Sequence, residues 1–325
     1  MQYQKGELVP TRLAYGQALA EIGADKRIVV LDAETENSTY SELFKKAYPD
    51  RFFEMFIAEQ NMVGAALGLS KCHKIPFLSS FAAFLTRAFD QFRMAGYSEP
   101  NLKVCGSHCG VSIGEDGTSQ MGVEDLAMFK TIPGSTVLYP ADAVSTNKLV
   151  KIMLRHRGLD YLRTTRMPTP IIYPKRERFP IGGSKTVISS SSDRVTVVAA
   201  GVTLHEAIKA AAKLKQKKIN LRVIDCYSVK PIDAAALKKA IKAVGPLVIT
   251  VEDHRPEGGL GDSVLSALAA EKVHLVKLAS GKICGSGKPE QLLKFEGIDS
   301  SAICRQVQLL LPAGHRARPK FPPAV

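Results

Sequence analysis

The sequence predicts an α/β fold in two domains, each a largely parallel sheet flanked by helices. Three observations carry that expectation. Short apolar runs alternate with segments of helical period over most of the chain. A proline- and serine-rich stretch interrupts the alternation once, between about residues 167 and 194, and the alternation then resumes. Parallel strands need helical crossovers, and burial on both faces makes them continuous apolar runs.

In chain order, RIVVLD (27–32) reads as a β-branched strand, and SELFKKAYPD has helical spacing. FFEMFIAE (52–59) is apolar again and reads as a strand running up to Glu59, followed by the small-residue helix QNMVGAALGLSKC. IPFLSSFAAF leads into the helical TRAFDQFRMAGYS. NLKVCG, STVLYP and LDYLRT are further strands, with helices near 122–130 and 142–156. MPTPIIYPKRERFPIGG then carries four prolines, and SSSSD follows. Proline fixes φ and removes a donor, so this stretch reads as a linker over the surface. Beyond it come the strands VTVVAAG, INLRVIDC, LVITVED and VHLVKLA, with helices at 204–217 and near 232–243 and 262–271. The expected division is 1–170, a linker at 171–194, and 195–325.

At 325 residues, 45% hydrophobic and 23% charged, the chain has an ordinary soluble composition with length enough for two cores. No apolar run approaches the roughly 20 residues of a membrane helix, and MQYQKGELVP does not open like a signal peptide. Six scattered cysteines (72, 105, 109, 226, 284 and 304) suit a reduced, cytoplasmic protein rather than a disulfide framework. The formal charge of +13 draws anions. No nucleic-acid module or interleaving of aromatics with cations accompanies it, so phosphorylated metabolites are expected rather than nucleic acid. KAAAKLKQKK (209–218) and RARPK (316–320) read as solvated surface.

Several motifs are set aside. No GxGxxG follows a strand. GSGKP (285–289) has Lys282 where a phosphate loop needs its first glycine, and Pro289 where it needs Ser or Thr. Cys105, His108 and Cys109 lack the second ligand pair of a structural zinc site. No metal ligand is expected in this chain.

Three segments carry chemistry. Ile57-Ala58-Glu59-Gln60-Asn61-Met62 puts a carboxylate at a helix start, where the dipole alone would explain it. Phe81-Ala82-Ala83-Phe84 and Thr86-Arg87-Ala88-Phe89-Asp90 follow the next strand, and Ser107-His108-Cys109-Gly110 through Gly117 follows the one after. Ligands of parallel sheets bind at the carboxyl ends of strands, so all three segments would crowd one edge.

IAEQNM, FAAFLTRAFDQ and SHCGVSIGEDG, in this order, are similar to the pyrimidine-binding domain of transketolases. The likeness continues through TRLAYGQAL (11–19), DAETENSTYSE (32–42), GVTLHEA (201–207), VEDH (251–254) and SGKPEQLL (286–293), so it covers nearly the whole chain. The two domains are then expected to be a thiamine-diphosphate-binding pyrimidine domain and a transketolase C-terminal-like domain.

The resemblance implies that Glu59 activates the cofactor from an apolar setting, and that Phe81, Phe84 and Arg87 help to bind it. Arg12, Ser38 and Arg166 match phosphate-binding positions, His108 a substrate-binding histidine, and Asp116 a residue that reads a donor-sugar hydroxyl. Gln120 matches a substrate contact that is Gln or His in the family. Phe81 and Phe84 could equally be ordinary core. The family's GDG motif with a downstream Asn, which holds the diphosphate through a divalent metal such as Mg or Ca, is missing. The expectation is therefore a split transketolase whose other chain, carrying GDG and the metal, is its partner in a heterotetramer; a truncated chain would look the same. Self-association to a dimer follows, since the family's site straddles two chains. A deoxyxylulose-phosphate synthase, the β subunit of a 2-oxo acid dehydrogenase, and a catalytically silent binding paralogue stay open as alternatives. SHCGVSIGEDG argues against the first two, and Glu59 against the third. Asp253-His254 is expected to be loop or interface polarity.

Overall fold

The computed structural model of the protein describes residues 3–311. The RARPK segment lies outside them. Fourteen strands form three sheets among the described residues: β1 (Leu8–Pro10), β2 (Ile28–Asp32), β3 (Phe52–Glu54), β4 (Ile75–Phe81), β5 (Leu102–Ser107), β6 (Thr136–Leu138), β7 (Leu159–Arg163), β8 (Pro168–Pro170), β9 (Lys185–Ile188), β10 (Asp193–Ala199), β11 (Asn220–Asp225), β12 (Ser228–Lys230), β13 (Leu247–Val251) and β14 (His274–Leu278).

The first large sheet has the order β12-β6-β7-β5-β4-β2-β3, parallel throughout except for β12. β2, β4, β5 and β7 are buried at every residue, which is why they read as mainly apolar runs. Two charged residues inside them are paired: Lys103 Nζ lies 2.7 Å from Asp160 Oδ2, and both side chains are fully buried. The expected strand over 52–59 is only Phe52–Glu54. The chain turns at Phe56 and Ile57, where Phe56 takes φ 51°, and the two stand 66% and 69% exposed. The apolar run there is surface rather than strand.

The second sheet has the order β14-β13-β10-β11-β9, with β9 as an antiparallel edge. The proline-rich stretch is less free than a surface linker. Its start forms β8 against β1, and Ile171, Tyr173 and Phe179 are buried in the first domain's core. Asp142 explains the anchoring. It caps the Ala143–Arg155 helix by accepting from Ser145 N at 2.8 Å, and its other oxygen accepts from the backbone N–H groups of Ile172 and Tyr173.

The two units interlock. β12 leaves the second domain to close the edge of the first sheet, and Lys230 Nζ then donates to the carbonyls of Lys130 and Ile132. One apolar core joins Phe129, Val137 and Tyr139 to Val198, Leu237 and Val264. No helix among the described residues is long and apolar enough to cross a membrane.

One buried carboxyl should set the alkaline limit of stability. Burial pushes Asp225 up to about 8, while Tyr173 donates to it at 2.7 Å. An unfolded Asp titrates near ~4, so between ~4 and about 8 the native state holds the extra proton and stability falls as pH rises. His108 and His254 are depressed and act with the opposite sign, but only below their unfolded value near ~6.5. Buried Glu252, pushed up to about 7, adds to the fall at the lower end, so melting temperature is expected to decline from about pH 6.5 to 8, and Asp225→Asn should flatten the upper part of that limb. An unchanged slope in the variant would remove Asp225 as the cause.

Candidate functional site

The carboxyl edge of the first sheet gathers the segments that follow β2, β3, β4, β5 and β7. Glu59 is the first residue of the Glu59–Lys71 helix and is 2% exposed. Its Oε2 accepts from Arg87 Nη1 at 3.1 Å, and Gln60 Nε2 donates to the Arg87 carbonyl at 3.2 Å. The carboxylate thus sits against a guanidinium that is itself more than half exposed, a more polar neighbour than the apolar setting expected from sequence.

Phe81 ends β4, and its ring lies between two others. Phe84 is stacked on it with centroids 5.0 Å apart, and the His108 imidazole with centroids 3.7 Å apart. His108 takes φ 57°, which turns its ring inward from the end of β5. Its Nε2 lies 3.3 Å from Arg12 Nη1, and its Nδ1 lies 3.0 Å from Ser107 Oγ. Since a guanidinium can only donate, Nε2 is the acceptor and the proton resides on Nδ1. Burial, then the charges of Arg12 and Arg166, push this histidine down to about 3, so it is a neutral group at physiological pH.

Around His108 the cations converge. Arg12 Nη1 also donates to the Ser38 carbonyl at 2.9 Å, and its buried Nε has no hydrogen-bond partner among the described residues. An orphaned guanidinium N–H beside a second arginine suits an anionic ligand. Arg166 pairs with Asp116, whose Oδ2 lies 4.0 Å from His108 Nε2. Arg12, Ser38, His108, Asp116 and Arg166 are therefore brought into one connected group. Gln120 is not hydrogen-bonded to it. It ends the short turn Thr118–Gln120, two residues before Gly122, which accepts from Gly110 N and donates to the His108 carbonyl.

Two sets of residues were missed. Asp32 ends β2 and accepts four hydrogen bonds, from Thr35 N, Thr35 Oγ1, Thr39 Oγ1 and Ser41 Oγ, at 2.7–2.9 Å. These fix the 33–41 loop that presents Ser38. A run of hydroxyl residues soon after a strand-ending Asp was the available signal. The other set is Arg163 and Asp125, which are fully buried together with Asp253, a residue the sequence marked only as loop or interface polarity: Arg163 Nε lies 2.8 Å from Asp125 Oδ2, and its Nη1 lies 2.7 Å from Asp253 Oδ1. Tyr161 donates to Asp125 and Tyr139 to Asp253. His254 Nε2 accepts from Ala127 N at 3.3 Å. The Asp253-His254 pair is thus buried polarity joining the two domains.

Other features lie apart from this edge. A cavity of about 640 Å³ between the Lys148–Arg155 face and residues 176–180 shares no lining residue with it. Among the described residues, no group of three or more His, Cys, Asp or Glu could hold a metal ion.

Both domains match known proteins. The family model of the transketolase pyrimidine binding domain matches residues 7–171, and that of the transketolase C-terminal domain matches residues 184–303. Human transketolase is 51% identical over 312 residues, which is 95% of this chain and 50% of that protein. A solved structure described as a split gene transketolase, inactive beta4 tetramer, superposes with a TM-score of 0.85 at 38% identity and covers 93% of this chain and 98% of that one. Campylobacter jejuni transketolase, at 18% identity and a TM-score of 0.82 over 95% of this chain, shares the fold. The chain belongs to the transketolase family and corresponds to its C-terminal half. It spans about half the length of the curated relatives it matches.

Proposed function

We propose that this chain is the pyrimidine-side subunit of a transketolase, moving a two-carbon ketol unit from a ketose phosphate to an aldose phosphate. The observation that carries the proposal is the edge itself: a buried carboxylate at a helix start, a stacked aromatic pair, and a neutral histidine between two arginines.

The residues fit the aminopyrimidine half of thiamine diphosphate. Phe84, backed by the Phe81 ring, would offer an aromatic face, and the buried Glu59 would offer an acceptor to the edge of the pyrimidine. When bound, that cofactor supplies the nucleophilic carbon and the electron sink. Glu59 would hold the proton at the pyrimidine N1′ nitrogen, with Arg87 fixing the carboxylate's orientation. Arg12 and Arg166 would grip the sugar phosphate, the Ser38 loop would close beside them, and Asp116 would read a donor hydroxyl. His108, uncharged, would accept from the substrate or Arg12 at Nε2 without adding to the positive field. Gln120 remains a proposed substrate contact. The diphosphate and its divalent metal, Mg or Ca, would be held by a partner chain carrying the GDG motif.

Surface chemistry supports association. Phe53, Phe56 and Ile57, 42%, 66% and 69% exposed, lie within six residues of Glu59. On the adjoining helix, a Cβ at Gly64 or Gly68 would meet nothing within 4 Å. An apolar surface beside an uncovered, small-residue helix face is what a partner covers. We propose a dimer of this chain within a heterotetramer, and a cytoplasmic location in keeping with six free thiols.

The test is turnover by the chain with its partner, thiamine diphosphate and Mg²⁺. Xylulose 5-phosphate plus ribose 5-phosphate should react, whereas turnover of only pyruvate plus glyceraldehyde 3-phosphate would sink the proposal. Within that assay, Arg166→Lys should raise the KM for sugar phosphates by about 10–100-fold and change kcat much less, because lysine cannot grip a phosphate through a planar fork.

A further inference from the structure

We infer that the second domain positions the donor-reading loop, with the turn at 284–289 and Asp253 setting where Asp116 stands. This rests on the proposed reading of Asp116 as the residue that contacts a sugar hydroxyl.

The loop from His108 to Gly122 belongs to the first domain by sequence, yet it is packed into the second. Val111, Ile113, Met121 and Val123 share one apolar core with Val251, Cys284, Leu292 and Leu293. The base of the loop is held through Arg163, whose Nη2 donates to the Gly122 carbonyl at 2.9 Å and to the Asp253 carbonyl at 3.0 Å. Arg255 N donates to the Val123 carbonyl at 2.9 Å.

The tip is backed more closely still. Thr118 Oγ1 donates to the Cys284 carbonyl. Gly114 and Gly117, which flank Asp116, both take φ +84°. A Cβ at Gly114 would lie 3.0 Å from the Gly287 carbonyl oxygen, and one at Gly117 would lie 2.9 Å from Ser286 Oγ. Here the second domain approaches closely enough to favour glycine, with backbone at Gly114 and a serine hydroxyl at Gly117. Asp116 thus has Arg166 on one side and a tip shaped by the 284–289 turn on the other. Contacts that fix a binding group act on substrate affinity, because a small displacement weakens the bond that group makes.

Thr118→Val removes the hydroxyl at nearly constant volume, and Leu292→Ala loosens the turn from the other side, since Leu292 Cδ2 lies 3.3 Å from a Cβ at Gly287. Both are tested in the full chain with its partner. Amide hydrogen exchange over residues 111–122 should quicken in both variants while exchange in β4 and β5 stays unchanged. The KM for the ketose donor should rise about tenfold with kcat within about twofold, as expected for a weakened charged hydrogen bond. A merely structural role would lower the active fraction, so kcat would fall with KM constant. That pattern, or unchanged exchange over 111–122, would overturn the inference. Wild-type protein that turns over no ketose phosphate would overturn the functional reading instead, and the exchange measurement would still decide whether the second domain holds the loop.

Discussion

Glu59→Gln, assembled with its partner and cofactor, is expected to lose roughly 10³-fold in kcat while the complex forms as before. A carboxylate that holds and releases a proton in the transition state contributes about 10²–10⁴-fold, and Gln can accept a hydrogen bond but cannot take the proton. The substitution should be gentle on the fold. Gln keeps the side chain's length, and its Oε1 can accept from Arg87 as Glu59 does at 3.1 Å. Arg87 is 59% exposed, so its charge stays hydrated once the partner charge is gone. Light scattering should show one assembly size for wild type and variant, and a coupled ketol-transfer assay should show the loss. Turnover within tenfold of wild type would remove Glu59 from its proposed role. Arg87→Gln makes a useful companion. It leaves the carboxylate in place but frees its orientation, so a smaller loss is expected than for Glu59→Gln.

The parts of this fold legible in the sequence are those whose signal is local. β2, β4, β5 and β7 are buried along their whole length, and two-sided burial leaves little choice but an apolar run. The candidate edge was legible for a related reason: loops that follow parallel strands must lie along one edge, so the segments carrying Glu59, Phe81 and His108 could be placed on it before any contact was known. What escaped was non-local. β12 pairs with β6 across about 90 residues of sequence, and nothing in SVK announces that it will leave its own domain. The run FFEMFIAE misled because apolarity usually means burial, and here Phe56 and Ile57 stand exposed on a turn. Polar residues in strands were the neglected signal. Lys103, Asp160 and Arg163 stand in fully buried strands, and a charge there must find a partner. Reading LDYLRT for its charges as well as its apolar residues would have marked Arg163 as a bridge in need of acids, with VEDH a strand end able to supply one.

Arg163→Ala is the substitution expected to harm stability most. The guanidinium is fully buried and donates to Asp125, to Asp253 and to the Gly122 and Asp253 carbonyls. Burial alone would push Asp125 up, but the charge of Arg163 and the hydrogen bonds from Arg163 and Tyr161 offset it and hold this carboxyl below its usual range. Removing the arginine strands two buried carboxylates near each other. Breaking one side of a buried ion pair costs about 3–5 kcal/mol, against a total stability of about 5–15 kcal/mol for a typical domain. For a chain of this size that is a fall in melting temperature on the order of 10 °C, readable by calorimetry or circular dichroism. The two carboxylates supply a control. If the loss arises from uncompensated charge, Arg163→Met combined with Asp125→Asn and Asp253→Asn should recover a large part of it, because the triple variant buries no net charge. If the triple variant is no more stable than Arg163→Ala, the loss comes from what methionine cannot replace, the hydrogen bonds to the Gly122 and Asp253 carbonyls and the guanidinium contact 4.5 Å from the Tyr139 ring, rather than from uncompensated charge. Recovery of stability with a persistently raised donor KM would separate the two duties of this cluster, since the triple variant restores the charge balance between the domains but not the hydrogen bond from Arg163 to Gly122 that holds the base of the loop.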